Sequence, residues 1–126
     1  MYGFEFPVEL VYATWMSEKT VIPPTAKLVI EPRPGGAYRL TMSNKSTMNG
    51  TFTEVSRNSG LKYSWQWEGS DEITEVEVVF ETRPDGSAVQ LTHSGFQSST
   101  SLQNHSTGWD SYIDGFNNYL RESQQS

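Results

Sequence analysis

Two histidines and a set of aromatic rings are the residues of this sequence with chemistry to offer. His93 shares strand parity with Val89 and Leu91, so it falls on the same face as two apolar residues. A neutral imidazole there can hydrogen-bond a ligand or exchange a proton near pH 7. It can equally be a core histidine bonded to its neighbours or to the turn at Gly95. For acid/base work, the pairing of His93 with Tyr63 or Glu54 is the one the sequence suggests. His105 stands four residues before Trp109. Two histidines with no carboxylate close in sequence make a poor metal site, because stable sites need three or four ligands and a second shell. The chain has no cysteine, which removes thiol catalysis, thiolate zinc and disulfides. Nucleophile-elbow, phosphate-loop and His-Glu-x-x-His strings are absent. No catalytic residue, metal or cofactor is therefore assigned.

The rings offer a second kind of chemistry. Tyr38, Phe52, Tyr63, Trp65 and Phe80 fall in strand-like segments, and Trp109, Tyr112 and Phe116 in a helical one. Together with Leu91 and His93 they can line a cleft for a flat apolar ligand, or they can simply be core. Tyr63 and Tyr112 lean toward the cleft, since a buried phenol needs a hydrogen-bond partner that a ligand can supply.

The composition limits what such a cleft could meet. With 126 residues and 35% apolar residues, one domain over residues 1–126 with one core is expected. The nine Lys and Arg are scattered singly in a chain of net charge −6, so nucleic acid is a poor partner. Glu68, Asp71, Glu72, Glu75, Glu77 and Glu81 read as a solvated sheet face rather than a docking site for a basic protein. Met1 to Phe6 shows no basic region before an apolar run, and nothing approaches the roughly 20 residues of a membrane span. A cytoplasmic setting is expected.

Strands and two helices have to position these residues. Tyr2, Phe4 and Phe6 alternate as a strand, and Pro7 opens a short helix to Ser17, with proline at its first position and Glu9 near its positive end. Pro23 and Pro24 forbid its continuation. Strand signals follow at Lys27 to Glu31, Ala37 to Met42, Thr47 to Val55, Gly60 to Glu68 and Ile73 to Thr82. The Asp85-Gly86 step then predicts a hairpin into Ala88 to Ser94. A long helix from about Ser101 to Glu122 closes the chain, with Leu102, Trp109, Ile113, Phe116 and Leu120 on one face. Thr100 and Gln103 have capping-box spacing, and Gly108 suggests a close approach of this helix to the sheet.

This order resembles the START-related helix-grip superfamily. Specific strings, Glu31-Pro-Arg-Pro-Gly-Gly-Ala-Tyr-Arg, Gly50 with Phe52 and Glu54 leading to Leu61-Lys-Tyr-Ser-Trp, Thr74-Glu-Val with Val78 and Phe80, Leu91-Thr-His-Ser-Gly-Phe, and His105 with Gly108-Trp109, are similar to its branch named for the activator of the heat-shock-protein-90 ATPase. They run from about Glu31 to Leu120. The resemblance implies an α+β fold, a curved antiparallel sheet of six to seven strands around the long C-terminal helix, with a short N-terminal helix. It also implies that His93 faces the concave side near that helix. A second short helix with a Trp-Trp pair, usual in that family and part of its pocket mouth, is replaced here by Glu18 to Thr25. That leaves either a more open groove or a reduced one.

The expected function is non-catalytic binding of a small hydrophobic or aromatic molecule between sheet and helix. Two alternatives come from the resemblance: a chaperone-associated protein-binding module, and a cyclase- or hydrolase-type enzyme acting on an aromatic or polyketide-like substrate through His93. Edge strands allow a monomer or a homodimer.

Overall fold

Alternation along the strands decides the architecture. Leu61, Tyr63 and Trp65 are buried while the alternate residues Lys62, Ser64 and Gln66 are only partly so. Val76, Val78 and Phe80 repeat the pattern on the next strand. An apolar face of this size must lie against another layer, and the long C-terminal helix supplies it. The computed structural model describes residues 2–22 and 25–125. It contains β1 (Tyr2–Phe4), α1 (Val8–Trp15), β2 (Thr25–Ile30), β3 (Ala37–Met42), β4 (Thr47–Ser56), β5 (Gly60–Trp67), β6 (Thr74–Arg83), β7 (Gly86–Ser94) and α2 (Ser99–Gln125). The seven strands form one curled antiparallel sheet in the order β1-β7-β6-β5-β4-β3-β2, as the helix-grip resemblance implies. Among the described residues no helix is long and apolar enough to cross a membrane.

Several boundaries differ from the sequence reading, each for a local reason. The first strand stops at Phe4 rather than Phe6, and the Phe6 carbonyl instead accepts a bond from Ser87 Oγ at 2.8 Å. Pro7 is the N-cap of α1, with extended ψ of 151°, and its carbonyl receives the Leu10 and Val11 amides. Glu31 leaves β2 because its carboxylate takes the Ala37 amide at 3.0 Å, folding the proline-rich turn back on itself. In the β6–β7 hairpin, Pro84 and Asp85 form the turn and Gly86 already pairs with Arg83. Pro23 and Pro24 lie outside the described residues.

The segment that stands where the family places a second helix is tied down by side chains. Thr20 Oγ1 donates to the Thr14 carbonyl at 2.7 Å, and the Glu18 carboxylate accepts the Ile30 amide at 2.9 Å. Ile22 then inserts against α2 at Gly115, where an added Cβ would collide with Ile22 Cγ2. The close approach expected at Gly108 is thus found at Gly115 instead. A Cβ at Gly108 would meet nothing within 4 Å.

Helix α2 is held unevenly. Trp109, Ile113, Phe116 and Leu120 are buried, but Leu102, expected on the same face, is 49% exposed. Its first turns carry Ser, Thr, Asn and Gly, poor helix formers that need outside support. The capping box at Thr100 and Gln103 does not form; Ser98 Oγ caps the helix by accepting the Ser101 amide at 3.0 Å. The Glu72 carboxylate, from the β5–β6 connection, adds two bonds, accepting the Gln97 amide at 2.8 Å and the Ser101 hydroxyl at 2.6 Å. These bonds hold the Glu72 carboxyl below the usual carboxylate range, the Ser101 bond most strongly.

Because the folded-state pKa of Glu72 is depressed, its stabilising contribution is present above the unfolded carboxylate value and is lost as pH falls through the folded one. Glu72→Ala is expected to lower the thermal midpoint at neutral pH and to speed amide exchange over residues 97–105, leaving residues 109–120 protected. Unchanged protection over residues 97–105 would show that Glu72 does not anchor the helix start.

Candidate functional site

A cavity of about 450 Å³ lies between α2 and the β2–β3–β5 side of the sheet. Small-molecule sites typically run from about 300 to 1,000 Å³. Strand alternation puts Tyr38, Leu40 and Met42 of β3 on one wall and Trp65 and Trp67 of β5 on another. From α2 come His105, Gly108, Trp109 and Tyr112, spaced as one helical face. Ile22 and Thr25 close one end, and the exposed Asn104 and Ser111 mark the rim. Gly108 leaves open space where a side chain would project.

Two indole-to-imidazole hydrogen bonds fix the aromatic walls. Trp109 Nε1 donates to His93 Nδ1 at 2.9 Å, and Trp67 Nε1 donates to His105 Nε2 at 3.0 Å. Indole is a donor only, so each accepting nitrogen is unprotonated and the tautomers follow. His93 therefore carries its proton on Nε2 and donates to Thr74 Oγ1 at 2.6 Å, while that hydroxyl donates to the Trp65 carbonyl at 3.1 Å. His105 donates from Nδ1 to the Ser101 carbonyl at 2.8 Å. The two imidazoles sit with ring centroids 5.1 Å apart. Burial, with His105 adding to it and Glu72 opposing it, pushes the His93 pKa down to about 4.

The phenols are shifted the other way. Tyr38, Tyr63 and Tyr112 are all raised, with burial the first cause in each. Tyr63 feels both Tyr38 and Tyr112, so the three hydroxyls are gathered in one region. Trp15 Nε1, Tyr63 Oη and Trp65 Nε1 are buried with no hydrogen-bond partner among the described residues. The Tyr63 hydroxyl stands beside Trp15 Nε1 without reaching hydrogen-bond geometry.

Of the ten residues singled out in the sequence, Tyr38, Trp65, Trp109 and Tyr112 line the cavity. Tyr63 is stacked on Tyr38 at 4.8 Å and has no exposed surface, with Phe52 edge-on to it at 5.4 Å. Phe80 and Phe116 pack around Trp15 at 5.9 and 5.4 Å. Leu91 is half-buried against the core, and His93 stands behind Trp109 with both nitrogens engaged. The His93 pairing with Tyr63 or Glu54 is not assembled: Glu54 is exposed beyond a bulge that follows Phe52, and no hydrogen bond joins His93 to either. Among the described residues no group of three His, Cys, Asp or Glu is placed to hold a metal ion.

Residues that the sequence reading did not assign to the cleft complete the wall. Leu40 and Met42 share the parity of Tyr38, and Trp67 that of Trp65, so extending the alternation would have found them. His105 and Gly108 lie one turn before Trp109 and Tyr112 on the helix. Ile22 and Thr25 gave no such signal, because they stand in or beside an irregular connection.

The family model described as Activator of Hsp90 ATPase homolog 1-like protein matches residues 5–121. Solved structures with the same fold include protein MLL2253 from Mesorhizobium loti, 16% identical with a TM-score of 0.86, covering 95% of this chain and 93% of that one. CalU16 from Micromonospora echinospora is 23% identical with a TM-score of 0.74, covering 97% and 77%. An HSP90 activator from Plasmodium falciparum is 16% identical with a TM-score of 0.77, covering 93% and 90%. No curated protein matches the sequence.

The depressed His93 pKa makes stability pH-dependent in a definite direction. Above the ordinary value of 6.5 its contribution is fully present; as pH falls toward about 4 the unfolded chain takes up a proton that the folded one refuses, and stability is lost. The thermal midpoint is expected to drop between pH 6.5 and about pH 5, and to drop less in His93→Gln; equal slopes would show that His93 is not the group refusing the proton. Tyr63→Phe removes an unpartnered buried hydroxyl and is expected to leave the midpoint unchanged or raise it slightly. A loss of about 1 kcal/mol or more would mean that the hydroxyl is bonded after all.

Proposed function

For a chain that belongs to the family of activator of Hsp90 ATPase homolog 1-like proteins, we propose a binding function: a small hydrophobic or aromatic molecule held without catalysis between sheet and α2. The observation that carries it is the cavity of about 450 Å³ walled by Tyr38, Trp65, Trp67, Trp109 and Tyr112. Such walls offer large apolar contact area and edge or offset ring packing to a flat ligand. Each imidazole spends its accepting nitrogen on an indole, which leaves neither set up as a general base. An enzyme of the cyclase or hydrolase type working through His93 is the weaker reading for that reason.

A chaperone-associated role is a second reading, supported by the family's description and by the fold shared with the Plasmodium falciparum HSP90 activator. Likeness of fold is a weak warrant for function, so the cavity is given more weight. A cytoplasmic setting and a monomeric or homodimeric state belong to the same proposal.

A thermal-shift screen against flavonoids, sterols, fatty acids and aromatic polyketides tests the binding reading. A ligand at 100 times its dissociation constant stabilises the fold by about 2.7 kcal/mol, a rise of several degrees for a domain of this size. Gly108→Phe projects a ring into the open space beside the cavity and also improves helix propensity, so it is expected to keep its own midpoint and lose the ligand-induced rise. A rise that survives in the variant would place binding elsewhere, and no rise with any compound sinks the reading.

A further inference from the structure

The cavity lining is notable for what it does with charge. Among the described residues no Asp, Glu, Lys or Arg side chain lines it. The carboxylate that acts on His93, Glu72, is already bonded to Gln97 and Ser101 at the helix start. Arg39 of β3 lies on the exposed face between Tyr38 and Leu40, where it meets Glu68 at 3.5 Å. An ion carried into such a space loses its hydration and finds no counter-charge, which costs far more than burying a neutral group.

The neutral donors of the lining supply no counter-charge to an anion. The indole N–H groups of Trp67 and Trp109 are spent on His105 and His93. Trp65 Nε1 is buried without a partner among the described residues. On the wall itself, burial disfavours the anionic forms of Tyr38 and Tyr112. What the walls do offer is ring surface, and the phenols of Tyr38 and Tyr112 as hydroxyl donors to a neutral acceptor.

We propose that the cavity discriminates against negative charge, admitting an uncharged ring compound that bears a carbonyl-type acceptor and rejecting its carboxylate analogue of the same size. This rests on the binding reading above and narrows it: a ligand that must carry a carboxylate into the cavity is excluded.

Two matched probes test it: anthraquinone-2-carboxamide and anthraquinone-2-carboxylate, titrated at neutral pH by quenching of tryptophan fluorescence in the wild-type chain and in Gly108→Phe. The carboxamide is expected to bind at least about tenfold more tightly than the carboxylate, as expected where a buried charged group lacks a partner, and to lose its affinity in Gly108→Phe. If the carboxylate binds as tightly as the carboxamide and all binding disappears in Gly108→Phe, charge discrimination is overturned while the cavity stands as a binding site. If neither probe binds the wild-type chain, or both bind Gly108→Phe equally well, the binding reading falls and this inference falls with it.

Discussion

An indole carries one hydrogen-bond donor and no acceptor, so a tryptophan edge turned into a protein interior needs a lone pair to meet it. Trp67 and Trp109 meet theirs on His105 and His93, and much of the site follows from those two bonds. They join β5 to α2 and α2 to β7 across the gap between sheet and helix. They fix both rings in the cavity wall and oblige both imidazoles to keep one nitrogen unprotonated. The His93 proton is passed on to Thr74, whose hydroxyl reaches the Trp65 carbonyl, so a third wall residue is tied into the same chain. Spent in this way, the polar edges leave mainly apolar surface toward the cavity.

The space itself comes from small residues as much as from large ones. Gly115 lets Ile22 seat against α2 and close one end, while Gly108, about two turns earlier, leaves the wall open. A side chain at position 115 would collide with Ile22, and one at position 108 would project into open space. The first turns of α2, poor in intrinsic helix formers, depend on Ser98 and on Glu72 from the neighbouring loop. An acidic residue that looks in sequence like part of a solvated face is therefore a structural anchor.

The sheet was legible because period-two patterns were long and clean on β5 and β6, and the strings from Glu31 to Leu120 carried the family resemblance that the match over residues 5–121 supports. Element ends were less so, since a side chain decided each one: Glu31 on the Ala37 amide, Ser98 on the Ser101 amide. The ring cluster could be read as a set but not divided. Parity alone cannot say that Tyr38 meets the cavity while Tyr63, stacked on it, lies wholly behind, nor that Phe52, Phe80 and Phe116 pack into the core. His93 was seen on the right face, yet its partners Trp109 and Thr74 lie 16 and 19 residues away, beyond any local pattern.

The central claim is that the indole-walled space between sheet and α2 receives a ligand, and the four tryptophan side chains report on it separately. The direct measurement is a two-dimensional NMR titration of the indole N–H signals with 2-acetylnaphthalene. Signals of Trp65, Trp67 and Trp109 are predicted to shift together and saturate, while Trp15, buried behind Trp109, moves less. Saturating shifts centred on Trp15, or no shift at Trp67 and Trp109 at saturation, would contradict the account.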